Sequence, residues 1–285
     1  MVATPKVRDF MTKDPVFLYV PGHRREAMKV FVKETLSGIP VLREDDDKLV
    51  GIITRKDVFD KPHEEQLAMI MHKDPVHCRE DDTLHRAAKL MLDNNVHRLP
   101  VLDANERLVG IISPLDMLAH IADMELEQTV EGYMQKAVVP LHRLMPANVA
   151  LEIMELTHAK ALPVLDDTAT VSGIITDRDI YARVRIDQKF VESELGPKTE
   201  DDNWSWESLR NIMKLYYDIG KIQIPRTPIE KIMVKDPKTV QVKTSVSRAA
   251  RVMNRGRFNQ LPVTDVNGRL KGMVYDMDLI RVLAK

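Results

Sequence analysis

The chain has 285 residues, of which 44% are apolar and 30% charged, an ordinary globular balance with length enough for two domains. Forty-two basic residues stand against 43 acidic ones, so no basic excess marks the chain as a nucleic-acid coat or a binder of membrane surfaces. The one cysteine, Cys78, excludes an intrachain disulfide, and no apolar run approaches the roughly 18 residues of a membrane span.

Read from the start, the chain repeats one frame. Met11 is followed by Pro40, Gly51 and Asp57; then come Met71, Pro100, Gly110, Asp116; Met134, Pro163, Gly173, Asp179; and Met233, Pro262, Gly272, Asp278. The Met-to-Pro interval is 29 and the Gly-to-Asp interval six in all four, so the chain is four copies of one unit. No charged-then-apolar leader opens the chain at Met1, which makes the cytoplasm the simplest compartment.

Copy two shows the unit most clearly. Asp74 to Cys78 is a short extended segment started by Pro75, and Thr83 offers a helix N-cap. Leu84, Ala87, Ala88, Met91 and Leu92 then recur with helical period up to Asn94. Leu99 to Leu102 reads as a strand, Asp103 to Glu106 as a hairpin turn, and Leu108 to Ile112 as the returning strand. Pro114, after Ser113, starts another helix. The other copies follow this plan, and copy four carries the hairpin dipeptide Asn267-Gly268. The Met, Pro and Gly of the frame are read as architectural, setting helix and hairpin lengths.

The predicted class is therefore α/β (α+β), in units of strand, helix, strand, strand, helix. The boundaries are 1–62, 63–124, 125–184 and 229–285, with an insertion at 185–228. A unit of this size buries a meagre core alone, so the units should pair. Sequential elements are usually neighbours, which pairs copy one with two and three with four. The insertion then lies inside the second module; the other arrangement makes it a linker to a detached fourth copy. It holds both tryptophans, Trp204 and Trp206, ahead of an amphipathic stripe of Leu209, Ile212, Met213 and Tyr216. That helix either packs on its own module or forms a docking or dimer surface.

Chemistry concentrates where each returning strand ends. Thr54, Ser113 and Thr176 each stand three residues before Asp57, Asp116 and Asp179, while copy four has Tyr275 before Asp278. A hydroxyl at a helix mouth, with unpaired N–H groups behind it, suits a phosphate, and a carboxylate one turn on suits a ribose diol. The same pattern is also a capping box that needs no ligand. Two features favour more than a cap. The acid is Asp throughout, where the box prefers Glu or Gln, and Asp278 persists although Tyr275 replaces the hydroxyl; Asp276 offers another cap there.

The Leu/Ile-Pro-Val strand, the Gly-Ile-Ile-Thr-x-x-Asp ending and the Met-x-Lys-Asp-Pro opening resemble the CBS domain family, over almost the whole chain except the insertion. The resemblance implies two Bateman modules, each with two clefts that take adenosyl ligands: AMP, ADP, ATP or S-adenosylmethionine. It implies ribose contacts from Asp57, Asp116, Asp179 and Asp278, and phosphate contacts from Thr54, Ser113 and Thr176. Base contacts would come from backbone near Gly38, Ile39, Arg98, Leu99, Ala161, Leu162, Gln260 and Leu261. Tyr275 narrows copy four's cleft, and Pro114 removes one N–H from copy two. Copy three lacks the Lys-Asp-Pro opening. The endings rank three, one, two, four. Cations before the Pro strands, His97 with Arg98, His158 with Lys160, and Arg255 with Arg257, are solvated or meet a phosphate tail; if inward, they favour AMP or ATP over the cationic sulfonium.

No H-x-x-x-H pair and no phosphate-loop glycine motif occurs, and Cys78 has no evident base, so neither catalytic nor metal residues are expected. The reading is a regulatory sensor without enzyme activity or resident cofactor, acting in trans on a protein effector, with nucleic acid and membrane unexpected as partners. Family habit implies a homodimer whose modules form a disc. The alternative is a ligand-independent assembly scaffold.

Overall fold

The structure, a computed structural model, describes residues 4–33, 36, 38–54, 57–58, 61, 64–181 and 226–285. The expected Trp204/Trp206 helix lies outside the described residues. Copy one comprises β1 (Thr12–Lys13), β2 (Leu18–Val20), α1 (Arg24–Lys33), β3 (Gly38–Arg43) and β4 (Leu49–Thr54). Copy two follows with α2 (Leu67–Ile70), β5 (His72–Lys73), β6 (Cys78–Arg79), α3 (Leu84–Asp93), β7 (Leu99–Leu102), β8 (Leu108–Ile112) and α4 (Pro114–Asp123). Copy three has β9 (Leu141–His142), α5 (Ala147–Thr157), β10 (Ala161–Leu165), β11 (Val171–Thr176) and α6 (Asp177–Tyr181). Copy four has β12 (Val234–Lys235), β13 (Val240–Gln241), α7 (Val246–Gly256), β14 (Gln260–Thr264), β15 (Leu270–Tyr275) and α8 (Asp276–Leu279).

Local chemistry sets these elements. Thr83 accepts the Arg86 N–H at 3.2 Å and caps α3, and Ser245 does the same for Arg248 in α7 at 3.3 Å. The helical period of α3 is realised: Leu84, Ala87, Ala88 and Met91 are buried. Each strand-helix-strand passage makes a parallel pair, and the pairings begin at Leu18↔Val41, Cys78↔Val101, Leu141↔Val164 and Val240↔Val263. In every copy the frame proline stands one residue before that start. Its missing N–H therefore falls where no parallel partner asks for a bond, which is how proline sits inside these sheets.

The frame is not confined to its own copy. Strand β1 of copy one pairs with β8 of copy two (Lys13↔Gly110), and β5 of copy two pairs with β4 of copy one (Gly51↔Lys73). In the second module β12 of copy four pairs with β11 of copy three, and Gln135 of copy three bridges Met273 in β15 of copy four. The copies of a pair thus exchange their opening segments, which fixes the pairing as one with two and three with four. The exchange explains both the Met and the Gly. A Cβ on Gly110 would lie 2.5 Å from Met11 Sδ and 3.0 Å from the Thr12 carbonyl oxygen, and Met71 and Met233 press on Gly51 and Gly173 in the same way. These three glycines lack a side chain because the other copy's methionine occupies that space, whereas at Gly272 the backbone carbonyl of Gln135 takes it.

The modules also meet within the chain. Helix α4 of copy two packs along α7 of copy four. Leu84, Met91, Leu118, Ile121, Ala249, Ala250 and Met253 share one buried cluster, whereas copies one and three have clusters of their own. Polar contacts clamp the same junction. Ser247 Oγ donates to the Ile121 carbonyl at 2.7 Å and accepts from Leu126 N–H at 2.9 Å. Arg251 donates to the Ala122 carbonyl at 2.8 Å, and His85 Nδ1 lies 2.7 Å from the Leu283 carbonyl.

Candidate functional site

Antiparallel pairing of the last two strands in each copy builds the site. Gly38 stands opposite Thr54 and Ile39 opposite Ile53. Leu99 faces Ile112, Ala161 faces Thr176, Leu162 faces Ile175, and Gln260 faces Tyr275. The residues expected near a base are therefore one strand away from those expected near ribose and phosphate. Ile39, Leu99, Leu162 and Leu261 are buried, so their side chains serve the core.

The capping reading is realised in copies one to three. Asp57 Oδ2 accepts from Thr54 N–H at 2.7 Å and from its hydroxyl at 2.6 Å. Asp116 Oδ2 accepts from Ser113 N–H and hydroxyl, both at 2.7 Å, and Asp179 Oδ2 from those of Thr176 at 2.8 and 2.7 Å. In copy four Asp278 Oδ2 accepts the Tyr275 N–H at 3.0 Å. Asp276 does not replace it, being held by Met277 N–H at 2.7 Å and Asn259 Nδ2 at 2.8 Å. The cap engages Oδ2 in every copy and leaves the other carboxylate oxygen outside the cap. The three hydroxyls donate to the carboxylate in this arrangement, and a phosphate would have to draw them away.

Two residues at these endings were not read from the sequence. His72 Nε2 lies 2.8 Å from Asp57 Oδ1, and Gln135 Nε2 donates to Asp278 at 3.3 and 3.4 Å. Both arrive on the exchanged segments of the opposite copy, directly after the frame methionine. Spacing within a copy carries no signal for them.

The cations divide into three groups. His97, Arg98 and Lys160 gather electrostatically with Asp276, so copies two, three and four converge there. Burial, together with Lys160 and Arg98, holds His97 below the ordinary imidazole range. Burial likewise lowers Arg98, against the pull of Asp116 and Asp276. His158 and Arg257 are left-handed C-caps, with φ of 53° and 51°, closing α5 and α7. Arg255 lines a separate groove of about 650 Å³ with Arg248 and Arg251. Cys78 is 2% exposed and its thiol is pushed up to about 12, chiefly by burial, so it is an inert core residue. Among the described residues no cluster of His, Cys, Asp and Glu fits a metal ion.

Asp276 and Asp278 give the second module a pH signature. Burial raises both above the ordinary aspartate value, and Asp276 further raises Asp278 by like-charge repulsion. The folded chain then keeps protons that the unfolded chain has released. Stability is fullest below the ordinary carboxylate value and is lost as pH rises through the raised folded values. The stability of Asp276→Asn relative to the parent chain should accordingly increase from about pH 4 to about pH 7. Urea midpoints across that range check it, and a flat or falling difference would contradict the assignment.

Among the described residues no helix is long and apolar enough to cross a membrane. Inosine-5′-monophosphate dehydrogenase of Methanocaldococcus jannaschii is 29% identical over 188 residues, covering 62% of this chain; the alignment spans 37% of that enzyme's length. The uncharacterized protein MJ1225 of the same organism is 23% identical over 95% of this chain and 96% of its own, and its crystal structure superposes with a TM-score of 0.70. An uncharacterized conserved protein of Pyrococcus horikoshii superposes with a TM-score of 0.69 at 27% identity, over 98% of this chain and 99% of its own. The CBS domain matches four times, at residues 7–64, 67–123, 130–185 and 229–285, each match enclosing one antiparallel hairpin and its capped carboxylate. With four such domains paired into two Bateman modules, the chain belongs to the CBS domain family.

Proposed function

We propose that this chain is a regulatory sensor that binds an adenosyl ligand (AMP, ADP, ATP or S-adenosylmethionine) in clefts between paired repeats and acts on a separate protein. The observation that carries the reading is the capped carboxylate at each hairpin end, with Oδ2 committed to the cap and hydrophobic-strand backbone one strand away. Asp57, Asp116, Asp179 and Asp278 hold ribose, while Thr54, Ser113 and Thr176 reach the phosphate. Gly38, Ile39, Arg98, Leu99, Ala161, Leu162, Gln260 and Leu261 border the base. The gathering of His97, Arg98 and Lys160 favours an anionic tail, hence AMP or ATP over the sulfonium ligand.

The chain works without catalysing a reaction, in the cytoplasm, and any homodimer uses a face other than α4 and α7, which cover each other within one chain. A ligand touching two copies changes their relative orientation only by its differential affinity for the two arrangements. Because copies two and four share a core, such a change in one module reaches the other. The scaffold reading draws on the caps, which close without a ligand. Calorimetry against AMP, ADP, ATP and S-adenosylmethionine decides: the sensor reading fails if none binds below about millimolar. With ligand bound, Asp179→Ala should weaken one site at least about tenfold, the worth of a hydrogen bond to a charged group, with circular dichroism unchanged.

A further inference from the structure

The residue following each frame methionine is delivered to the opposite copy's carboxylate. His72 pairs with Ile52, Thr12 with Ile111, Val234 with Ile174, and Gln135 with Met273. Each partner stands five residues before its aspartate, so the four residues occupy equivalent places beside Asp57, Asp116, Asp179 and Asp278. Their side chains differ in kind. His72 and Gln135 carry N–H donors long enough to reach the carboxylate, and they do, with His72 on Asp57 Oδ1 at 2.8 Å and Gln135 on both oxygens of Asp278 at 3.3 and 3.4 Å. Thr12 is short, and Val234 has no donor. Among the described residues neither reaches its aspartate.

We propose that this residue sets which clefts accept a ribose: His72 and Gln135 plug clefts one and four, while Thr12 and Val234 leave two and three open. The cap already gives Oδ2 of Asp116 and Asp179 two bonds, so a cis-diol needs the other oxygen. That oxygen is engaged by a side chain of the opposite copy in copies one and four. Burial follows the same division, since Asp57 and Asp278 are buried at 9% and 8% exposure whereas Asp116 and Asp179 are half-buried. Each module then has one open and one plugged cleft. The order of the endings becomes three and two ahead of one and four, in place of the three, one, two, four that the hydroxyls alone suggest. His72 is 68% exposed, so its plug is displaceable and lowers affinity rather than forbidding binding.

The inference rests on the ribose role of the aspartates, and the experiment separates the two. Full-length protein is titrated by calorimetry with AMP and, separately, with S-adenosylmethionine, which share the diol. The parent chain should show two sites. Val234→Gln, which copies Gln135, should weaken one of them roughly tenfold, Val234→Thr should bind like the parent, and His72→Val should add a third site. Asp179→Asn is the control for the ribose role. If it removes a site while Val234→Gln and His72→Val change neither stoichiometry nor affinity, the plug is overturned and the ribose reading stands. If Asp179→Asn and Asp116→Asn change nothing, or neither ligand binds the parent chain, both fall. Val234 is 51% exposed, and an unchanged urea midpoint shows that the variant is folded.

Discussion

Leu118→Ala should cost the chain about 2–5 kcal/mol, the largest effect expected of any single truncation considered. Leu118 is fully buried on α4, in the cluster that joins copy two to the α7 helix of copy four. Truncation removes the transfer energy of the side chain and leaves a cavity in a junction that is close-packed on both sides, so little collapse can refill it. Both modules lose a wall of their common core. Chemical denaturation measures the change, and Leu156→Ala supplies the comparison: Leu156 is 75% exposed, and its loss should stay within about 0.5 kcal/mol. A Leu118→Ala cost as small as that of Leu156→Ala would mean that α4 and α7 do not pack in solution.

Gly272→Ala should be the second most damaging change, at roughly 1–3 kcal/mol. A Cβ there would run into the carbonyl oxygen of Gln135 and lie 3.3 Å from its carbonyl carbon. These are backbone atoms of the exchanged segment, hydrogen-bonded to Met273 in both directions, at 2.7 and 2.9 Å. They cannot move aside as a side chain can. At Gly51 the atoms met first belong to the Met71 side chain, which has rotamers to spare, so Gly51→Ala should cost less than Gly272→Ala. Paired urea titrations test the order, and equal costs would show that the exchanged segment of copy three yields as freely as a methionine. If the copies are held together through this segment, Gly272→Ala should also loosen the Gln135 contact with Asp278.

The unit itself was legible because its signals are local. Thr83 caps α3 three residues from Arg86, and the apolar face from Leu84 to Met91 has the period of one helix. The hydroxyl and carboxylate of each ending are also one turn apart, so Thr54 with Asp57, Ser113 with Asp116 and Thr176 with Asp179 were found from spacing alone. The three cation pairs before the proline strands carry a weaker local signal. His97, Arg98 and Lys160 converge, but His158 and Arg257 are drawn into left-handed caps at helix ends, and Arg255 points into a different groove. Position before a proline strand states where a residue begins, not where a long side chain ends.

The amino-acid sequence by itself determined the repeat, its secondary structure, the sequential pairing and the capping aspartate at each hairpin end, because these depend on intervals of a few residues and on how much apolar surface one unit can bury. Tertiary structure decided that the frame's Met and Gly answer each other across copies, that copies two and four share a core, and that His72 and Gln135 reach Asp57 and Asp278. Those contacts join segments far apart in the chain, 143 residues for Gln135 and Asp278 and 198 for His85 and Leu283, and an apolar helix face reads the same whichever helix covers it. The four endings are alike in sequence and unlike in what stands beside them.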